Sequence, residues 1–384
     1  MSAGPVMRAG DIVNGCALLE DFRVVGAGLS EWTFAVRDRR EFFIKRFLSP
    51  TYPDDDAPGS AKTKAAARCA AFEAHHRGIL AALAPVTSYG GNLIATLDFF
   101  RSGAKYYKVT EKVDLAGLDI TDVANLPFPT RLVLLKTVAH SLKILHDLSI
   151  VHSDLKPSNV MIKQTELGYT TKLIDFDSSY TVGSPPPPEE IVGTMNYYSP
   201  ELVRYIQGTG KASELTSASD IFALGLIYAE YLTGAVPTFD PAHHEPAIAV
   251  LNGAMLKIAR RDLPKPLVML VEAMMSADPA ARPLVSAVHA TLMSLRTGPA
   301  TTRATPRPPV RRTLAPRVAV PTAGTAAAGL RGKGLRLTPS AGRAPLSGPK
   351  AAVEPAPSPS ARVVPGRGGA LLGKLLRKVK ERGR

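Results

Sequence analysis

Val151-His152-Ser153-Asp154-Leu155-Lys156-Pro157-Ser158-Asn159-Val160-Met161-Ile162 is the segment on which the reading of this chain turns. Apolar residues close both ends, and Asp154, Lys156 and Asn159 lie between them on a loop. A carboxylate followed five residues later by an amide can orient a hydroxyl and hold a metal. The lysine between them can neutralise phosphate charge. Thirteen residues after Asn159 begins Lys172-Leu173-Ile174-Asp175-Phe176-Asp177, an apolar strand that ends in a second carboxylate. Two carboxylates and an amide on adjacent loops suit Mg²⁺, a hard cation that prefers oxygen donors and nucleotide phosphates. Either aspartate alone reads more simply as a turn-forming acid. The joint pattern does not.

Upstream, the chain is β-rich. Phe22–Val25, Trp32–Val36 and Phe42–Phe47 read as strands, with Gly26-Ala27-Gly28 as the first turn. Trp32, Phe34 and Val36 alternate as a half-buried strand requires. Thr51–Ser60 is a polar loop, Ala65–Leu83 reads as helix, and Leu93–Phe100 and Lys105–Val113 are further strands. Past Asn125 the character changes. Leu132, Leu135, Val138, Ala139, Leu142 and Leu145 recur at helical spacing. Short strands are expected at Val151–Ile162 and Thr171–Asp175, and helices from Pro200 to about Leu295. The expected fold is α+β and bilobal, a small sheet-rich lobe followed by a larger helical one with a cleft between them.

With these segments the chain resembles the eukaryotic-type (Hanks-type) serine/threonine protein kinase family, whose motif set is well defined. The resemblance spans roughly residues 22–295. His152–Asn159 resembles the catalytic loop and Asp175-Phe176-Asp177 the metal-binding DFG segment. Gly193–Glu201 resembles the substrate-binding stretch that ends in APE, and Ser219–Gly225 the helix that anchors the catalytic loop from below. Asp278–Pro283 is similar to the late arginine motif, whose Arg282 should pair with Glu201. The resemblance implies lobes at residues 1–110 and 111–296, and composition sets off 297–384 as a tail. The Ala/Arg/Pro-rich composition suggests a GC-rich bacterial source.

The resemblance also implies roles. Asp154 would accept the proton of the substrate hydroxyl, Lys156 would clamp the transferring phosphoryl group, and Asn159 and Asp175 would hold Mg²⁺. Lys45 fits the strand lysine that grips the α/β-phosphates of ATP, and Glu73, the only glutamate between Glu41 and Glu111, its helix partner. Gly26 and Gly28 would cover the phosphates, and Glu111 to Val113 would meet adenine through backbone groups, with Thr110 beside the pocket. Lys156 and Thr194 resemble serine/threonine rather than tyrosine specificity, so protein substrates are expected. Two alternatives are a small-molecule kinase of related fold and a pseudokinase scaffold that binds nucleotide weakly and acts through its tail and C-lobe.

Departures from the family pattern motivate the scaffold alternative. Glu31, or Ser30 with a one-residue shift, stands where the third glycine of the nucleotide loop belongs, and a carboxylate there would repel phosphate. Phe43 replaces a small residue two before Lys45. Asp177 replaces the flexible DFG glycine, which should reduce flipping of the segment. Ser153 replaces the arginine that receives an activation-loop phosphate, so constitutive competence, or regulation by other means, is expected. Pro185–Pro188 should stiffen that loop. His75-His76 and His243-His244 lack a Cys or acid cluster at metal-ligand spacing and read as surface or packed histidines.

The net charge of +14 suggests nucleic acid or membrane until it is located. Thr297–Arg384 carries 18 Lys+Arg against two acids, while residues 1–296 hold 29 against 31. The tail has no aromatic residue and 25 Pro and Gly in 88 positions, too little apolar area to offset an ordering cost of roughly 1–2 kcal/mol per residue. It is expected to be disordered. Only its end is patterned: Ala370–Arg382 reads as a basic amphipathic helix. The six Lys/Arg of Lys374–Arg384 suit an anionic membrane surface or an acidic protein, at about 1 kcal/mol each on a membrane. Without interleaved aromatics, nucleic acid is not expected. Thr305, Thr313, Thr338 and Ser358 sit in basic or proline contexts suited to autophosphorylation. Two cysteines, Cys16 and Cys69, make no disulfide framework and read as buried hydrophobes. No signal peptide or membrane span is expected, so the compartment is the cytoplasm, peripheral to the membrane if the tail attaches.

Overall fold

Alternating aromatic and aliphatic runs in the first hundred residues fold into one curled antiparallel sheet. The computed structural model describes residues 7–24, 30–54, 56, 58–88, 91–258 and 262–295. The strands are β1 (Ile12–Val13), β2 (Cys16–Leu18), β3 (Arg23–Val24), β4 (Ser30–Arg37), β5 (Arg40–Phe47), β6 (Asp98–Ser102) and β7 (Lys105–Glu111). They run in the order β1-β2-β4-β5-β7-β6, with β3 also paired to β4. The strand period of two sorts their side chains. Phe42 and Ile44 of β5 bury with Val13, Cys16, Leu18, Ala35, Tyr107 and Val109 on one face. Phe43, Lys45 and Phe47 take the other. Register places Trp32, Lys45 and Lys108 side by side across β4, β5 and β7.

That second face is covered by α1 (Gly59–Leu83), whose Cys69, His76 and Leu83 are buried at helical spacing. Phe47, Cys69, Phe99 and Tyr106 form the core between helix and sheet, with Phe72 and Leu80 packed against it. The helix starts six residues before the expected Ala65, because the Lys62 amide closes the first turn on the Pro58 carbonyl at 2.8 Å. The strand expected over Leu93–Phe100 also shifts. Leu93 makes a single parallel bridge to Leu173, and β6 begins only at Asp98. β1 and β2, too short to show an alternation, were not expected.

From Ile120 onward the chain is mainly helical: α2 (Ile120–Asn125), α3 (Phe128–Asp147), α4 (Pro200–Ile206), α5 (Ala218–Thr233), α6 (Pro246–Leu251), α7 (Lys265–Met274) and α8 (Val285–Ser294). Between α3 and α4 lie β8 (Ile150–Val151), the hairpin of β9 (Val160–Thr165) and β10 (Gly168–Leu173), and β11 (Tyr180–Thr181), which pairs with β8. Helix α5 is buried almost throughout. Gly225 lets α7 approach it: a Cβ there would stand 2.7 Å from Met275 Cγ and 3.1 Å from Met274 Cβ. Among the described residues no helix is long and apolar enough to cross a membrane. The lobe division at 110/111 remains a proposal, with β7 ending at Glu111. The expected tail and its Ala370–Arg382 helix lie outside the described residues.

One buried ion pair ties the end of the helical lobe to its middle. Arg282 donates to both oxygens of Glu201, Nη1 to Oε1 at 2.7 Å and Nη2 to Oε2 at 2.8 Å, with both side chains fully buried. Ser219 also donates to Glu201, and Arg282 reaches the Ala218 and Ser276 carbonyls. Burial pushes the Glu201 carboxyl up, but the Arg282 contacts outweigh it and hold it below its ordinary value. Breaking such a pair from one side leaves a buried uncompensated charge, at about 3–5 kcal/mol. Arg282→Leu should therefore lower the urea midpoint by that equivalent with an unchanged slope. A midpoint within about 0.5 kcal/mol of the wild type would contradict the assignment.

Candidate active site

The central loop is held by one carboxylate. Asp220, 1% exposed on α5, accepts from the His152 amide at 2.8 Å, the Ser153 amide at 3.0 Å and His146 Nε2 at 3.0 Å. This network holds Ser153 in the left-handed region at φ 71°, a conformation that costs a non-glycine residue on the order of 1–3 kcal/mol. The β9–β10 register pairs Val160 with Leu173, so Asn159 emerges beside Ile174 and Asp175. The Ile174 amide donates to the Asn159 carbonyl at 3.0 Å, and His152 Nε2 lies 3.0 Å from the Ile174 carbonyl. Two segments far apart in pattern thus become one surface. Asp175 itself turns the chain with φ 63°.

Asp154, Lys156 and Asn159 converge. Lys156 Nζ lies 2.7 Å from Asp154 Oδ2 and 3.2 Å from Thr194 Oγ1. Asn159 Nδ2 donates to the Asp154 carbonyl at 2.7 Å and to its carboxylate at 3.0 Å. The Asn159 amide oxygen and the Asp175 carboxylate, on segments joined by the bond from the Ile174 amide to the Asn159 carbonyl, are hard oxygen donors. That donor set fits Mg²⁺.

Lys45 does not pair with Glu73. Its ammonium sits 3.2 Å from both Asp175 oxygens and 2.7 Å from Asp177 Oδ2. Glu73 instead accepts from the Tyr106 hydroxyl at 2.7 Å and lies 3.8 Å from Arg77. The aspartate at position 177 puts a second carboxylate against the sheet, beside Lys45. A second lysine, missed in the sequence, completes the group. Lys108, 4% exposed and opposite Lys45 on β7, donates to Asp175 at 3.1 Å and to Asp177. The signal for it was strand alternation from Tyr106, which puts Lys108 on the face of Lys45. Burial lowers Lys45 and raises Asp177, but each is overruled by its partners. Asp177 and Asp175 hold Lys45 above the usual lysine value, and Lys108 and Lys45 hold Asp177 well below the carboxylate range.

Two other expectations change. Glu31 lies opposite Arg46 in register and accepts from its guanidinium, on the face away from Lys45. It therefore places no uncompensated charge near the lysines. Phe43 does not stand alone: it stacks on Trp32 at 5.4 Å between ring centroids and meets Phe34 edge-on at 6.2 Å. Glu111 is buried with Lys172 Nζ at 3.3 Å, so any contact from this position to a ligand falls to the backbone leading to Val113. Gly26 and Gly28 lie outside the described residues. Cys16 and Cys69 are free and buried.

The histidine pair meets the site. His75 Nε2 lies 2.9 Å from the Asp177 carbonyl, and His76 Nδ1 3.9 Å from Asp177 Oδ1. His76 stacks on Phe99 at 4.7 Å, and burial lowers its pKa from 6.5 to about 4. At neutral pH it is an uncharged ring. The unfolded chain takes up this proton near pH 6.5, and the folded one not until about pH 4. Stability conferred by the neutral ring is thus full above pH 6.5 and falls between 6.5 and 4, by on the order of 3 kcal/mol. His76→Phe, which keeps the stacking, should flatten the unfolding free energy over that window. An unchanged pH slope would contradict the burial of a neutral His76.

A family profile described as the protein kinase domain matches residues 82–292, more than half of the chain. The serine/threonine-protein kinase PknA of Corynebacterium glutamicum is 33% identical over 132 residues, 34% of this chain and 26% of that protein. The serine/threonine-protein kinase pkn2 of Myxococcus xanthus is 30% identical over 155 residues, 39% and 18% respectively. PrkC of Bacillus subtilis, also a serine/threonine-protein kinase, is 29% identical over 154 residues, 38% and 22%. These alignments span about a quarter or less of the relatives' lengths. Lys45 and Glu73 precede the profile match, whereas Asp154, Lys156, Asn159 and Asp175 fall inside it. The catalytic-loop constellation and the matched profile together place the chain in the protein kinase domain family.

Proposed function

We propose that this chain transfers the γ-phosphoryl group of ATP to Ser/Thr hydroxyls of protein substrates. The observation that carries the reading is Asp154, a carboxylate held between Lys156 and Asn159 with Lys156 also reaching Thr194. Asp154 accepts the proton of the attacking hydroxyl. Lys156 offsets charge on the transferring group, in keeping with a reaction that relies on positioning and electrostatics. Asn159 and Asp175 would hold Mg²⁺, which when bound would supply charge neutralisation for the phosphates. Lys45 meets the α/β-phosphates, Gly26 and Gly28 cover them, and the backbone from Glu111 to Val113 meets adenine. The basic end, Lys374–Arg384, we assign to an anionic membrane surface or an acidic protein, on its charge alone.

Purified protein given labelled ATP, Mg²⁺ and a general Ser/Thr substrate should transfer phosphate. Asp154→Asn should slow transfer by about 10²–10⁴-fold, the usual worth of general acid–base assistance. Equal labelling by both proteins would sink the reading. A chain lacking residues 297–384 should keep that rate while losing salt-sensitive sedimentation with anionic vesicles.

A further inference from the structure

The catalytic-loop groups account for proton acceptance and metal binding, but not for Lys108, Asp177 or the displacement of Glu73. Lys45 and Lys108 are cross-strand neighbours on one face of the sheet. Like charges so placed repel, and the Lys108 side chain is 5% exposed, with little access to water. Two carboxylates answer two ammonium groups, and each carboxylate touches both lysines. Asp175 is the one expected to take Mg²⁺, which would compete with both lysines for its oxygens. Asp177 is then the carboxylate that keeps both compensated. The Asp177 backbone is held from the other side by His75 of α1. Glu73 is engaged by Tyr106.

We propose that Lys108 and Asp177 are positioning residues for phosphoryl transfer, supplying Lys45 with its carboxylate partner in place of the Lys45–Glu73 pair. This rests on the kinase reading above. In this chain α1 reaches the metal-binding segment through His75 rather than through an ion pair to Lys45. Asp177, where the family pattern has glycine, is a strut and not merely a stiffer hinge.

The test compares wild type, Asp177→Asn, Lys108→Met, their double variant and Glu73→Gln, measuring kcat, KM for ATP, the Mg²⁺ concentration for half-maximal rate, and the melting temperature. Asp177→Asn leaves two lysines on Asp175, so kcat should fall about tenfold and the Mg²⁺ requirement rise several-fold, an effect a purely structural role would not produce. Adding Lys108→Met removes the excess positive charge. The double variant should melt above Asp177→Asn and recover part of the Mg²⁺ response. Glu73→Gln should cost less than Asp177→Asn. Active wild type with unaltered Asp177→Asn kinetics, a double variant no better than Asp177→Asn in melting and Mg²⁺ response, or a larger loss in Glu73→Gln would each overturn the role alone. Wild type that transfers no phosphate would overturn the kinase reading and this role with it. The melting order distinguishes a lost ion pair from misfolding in either case.

Discussion

Two lysines facing each other across adjacent strands constrain the arrangement of charges around them. Lys45 and Lys108 share a face and a register row, and both are largely withdrawn from water. An ammonium group buried without a counter-charge costs several kcal/mol, so this arrangement requires carboxylates to come to it. Both arrive from one tripeptide. Asp175 and Asp177 flank Phe176, which is itself 4% exposed and packs against His152 of the catalytic loop. Charge at the first and third positions and an apolar ring between them fasten the segment to the sheet on one side and to the helical lobe on the other.

The remaining geometry follows from how the helical lobe presents its loop. Asp220 gathers His146, His152 and Ser153, and α5, which carries it, is packed on nearly every side. The hairpin register then puts Asn159 beside Asp175. Asp154, Lys156 and Asp175 therefore sit outside regular strands and helices, and Asn159 in a single 3-10 turn, while their positions are set by buried elements behind them. The Glu201–Arg282 pair extends that support to the end of the lobe. Helix α1 adds its own contribution through a neutral, stacked His76 and a His75 that bonds the Asp177 carbonyl.

Much of this is legible in the sequence alone. Asp154, Lys156, Asn159 and Asp175 lie at spacings that announce a loop and a strand end, and Arg282 and Glu201 meet as their motifs require. Periodicity found α3 and the long strands because burial repeats along them. Other features depend on contacts that no local pattern carries. Lys108 sits in Lys105–Glu111 among tyrosines and valine and reads there as one polar residue in a strand; its importance appears only when β5 and β7 are laid in register. Elimination selected Glu73 as the partner of Lys45, yet could not weigh the closer Asp177. Glu31 looked harmful until the strand period turned it toward Arg46. In each case the missing term was a long-range pairing, decided by register and by competition between charges.

On the reading proposed above, Asp177, with Lys108, holds Lys45 in the working site. A crystal structure with Mg²⁺ and a non-hydrolysable ATP analogue tests it most directly. There Asp177 should remain bonded to Lys45 and Lys108 while Glu73 stays on Tyr106. A structure in which Lys45 pairs with Glu73 and Asp177 has left both lysines would contradict it.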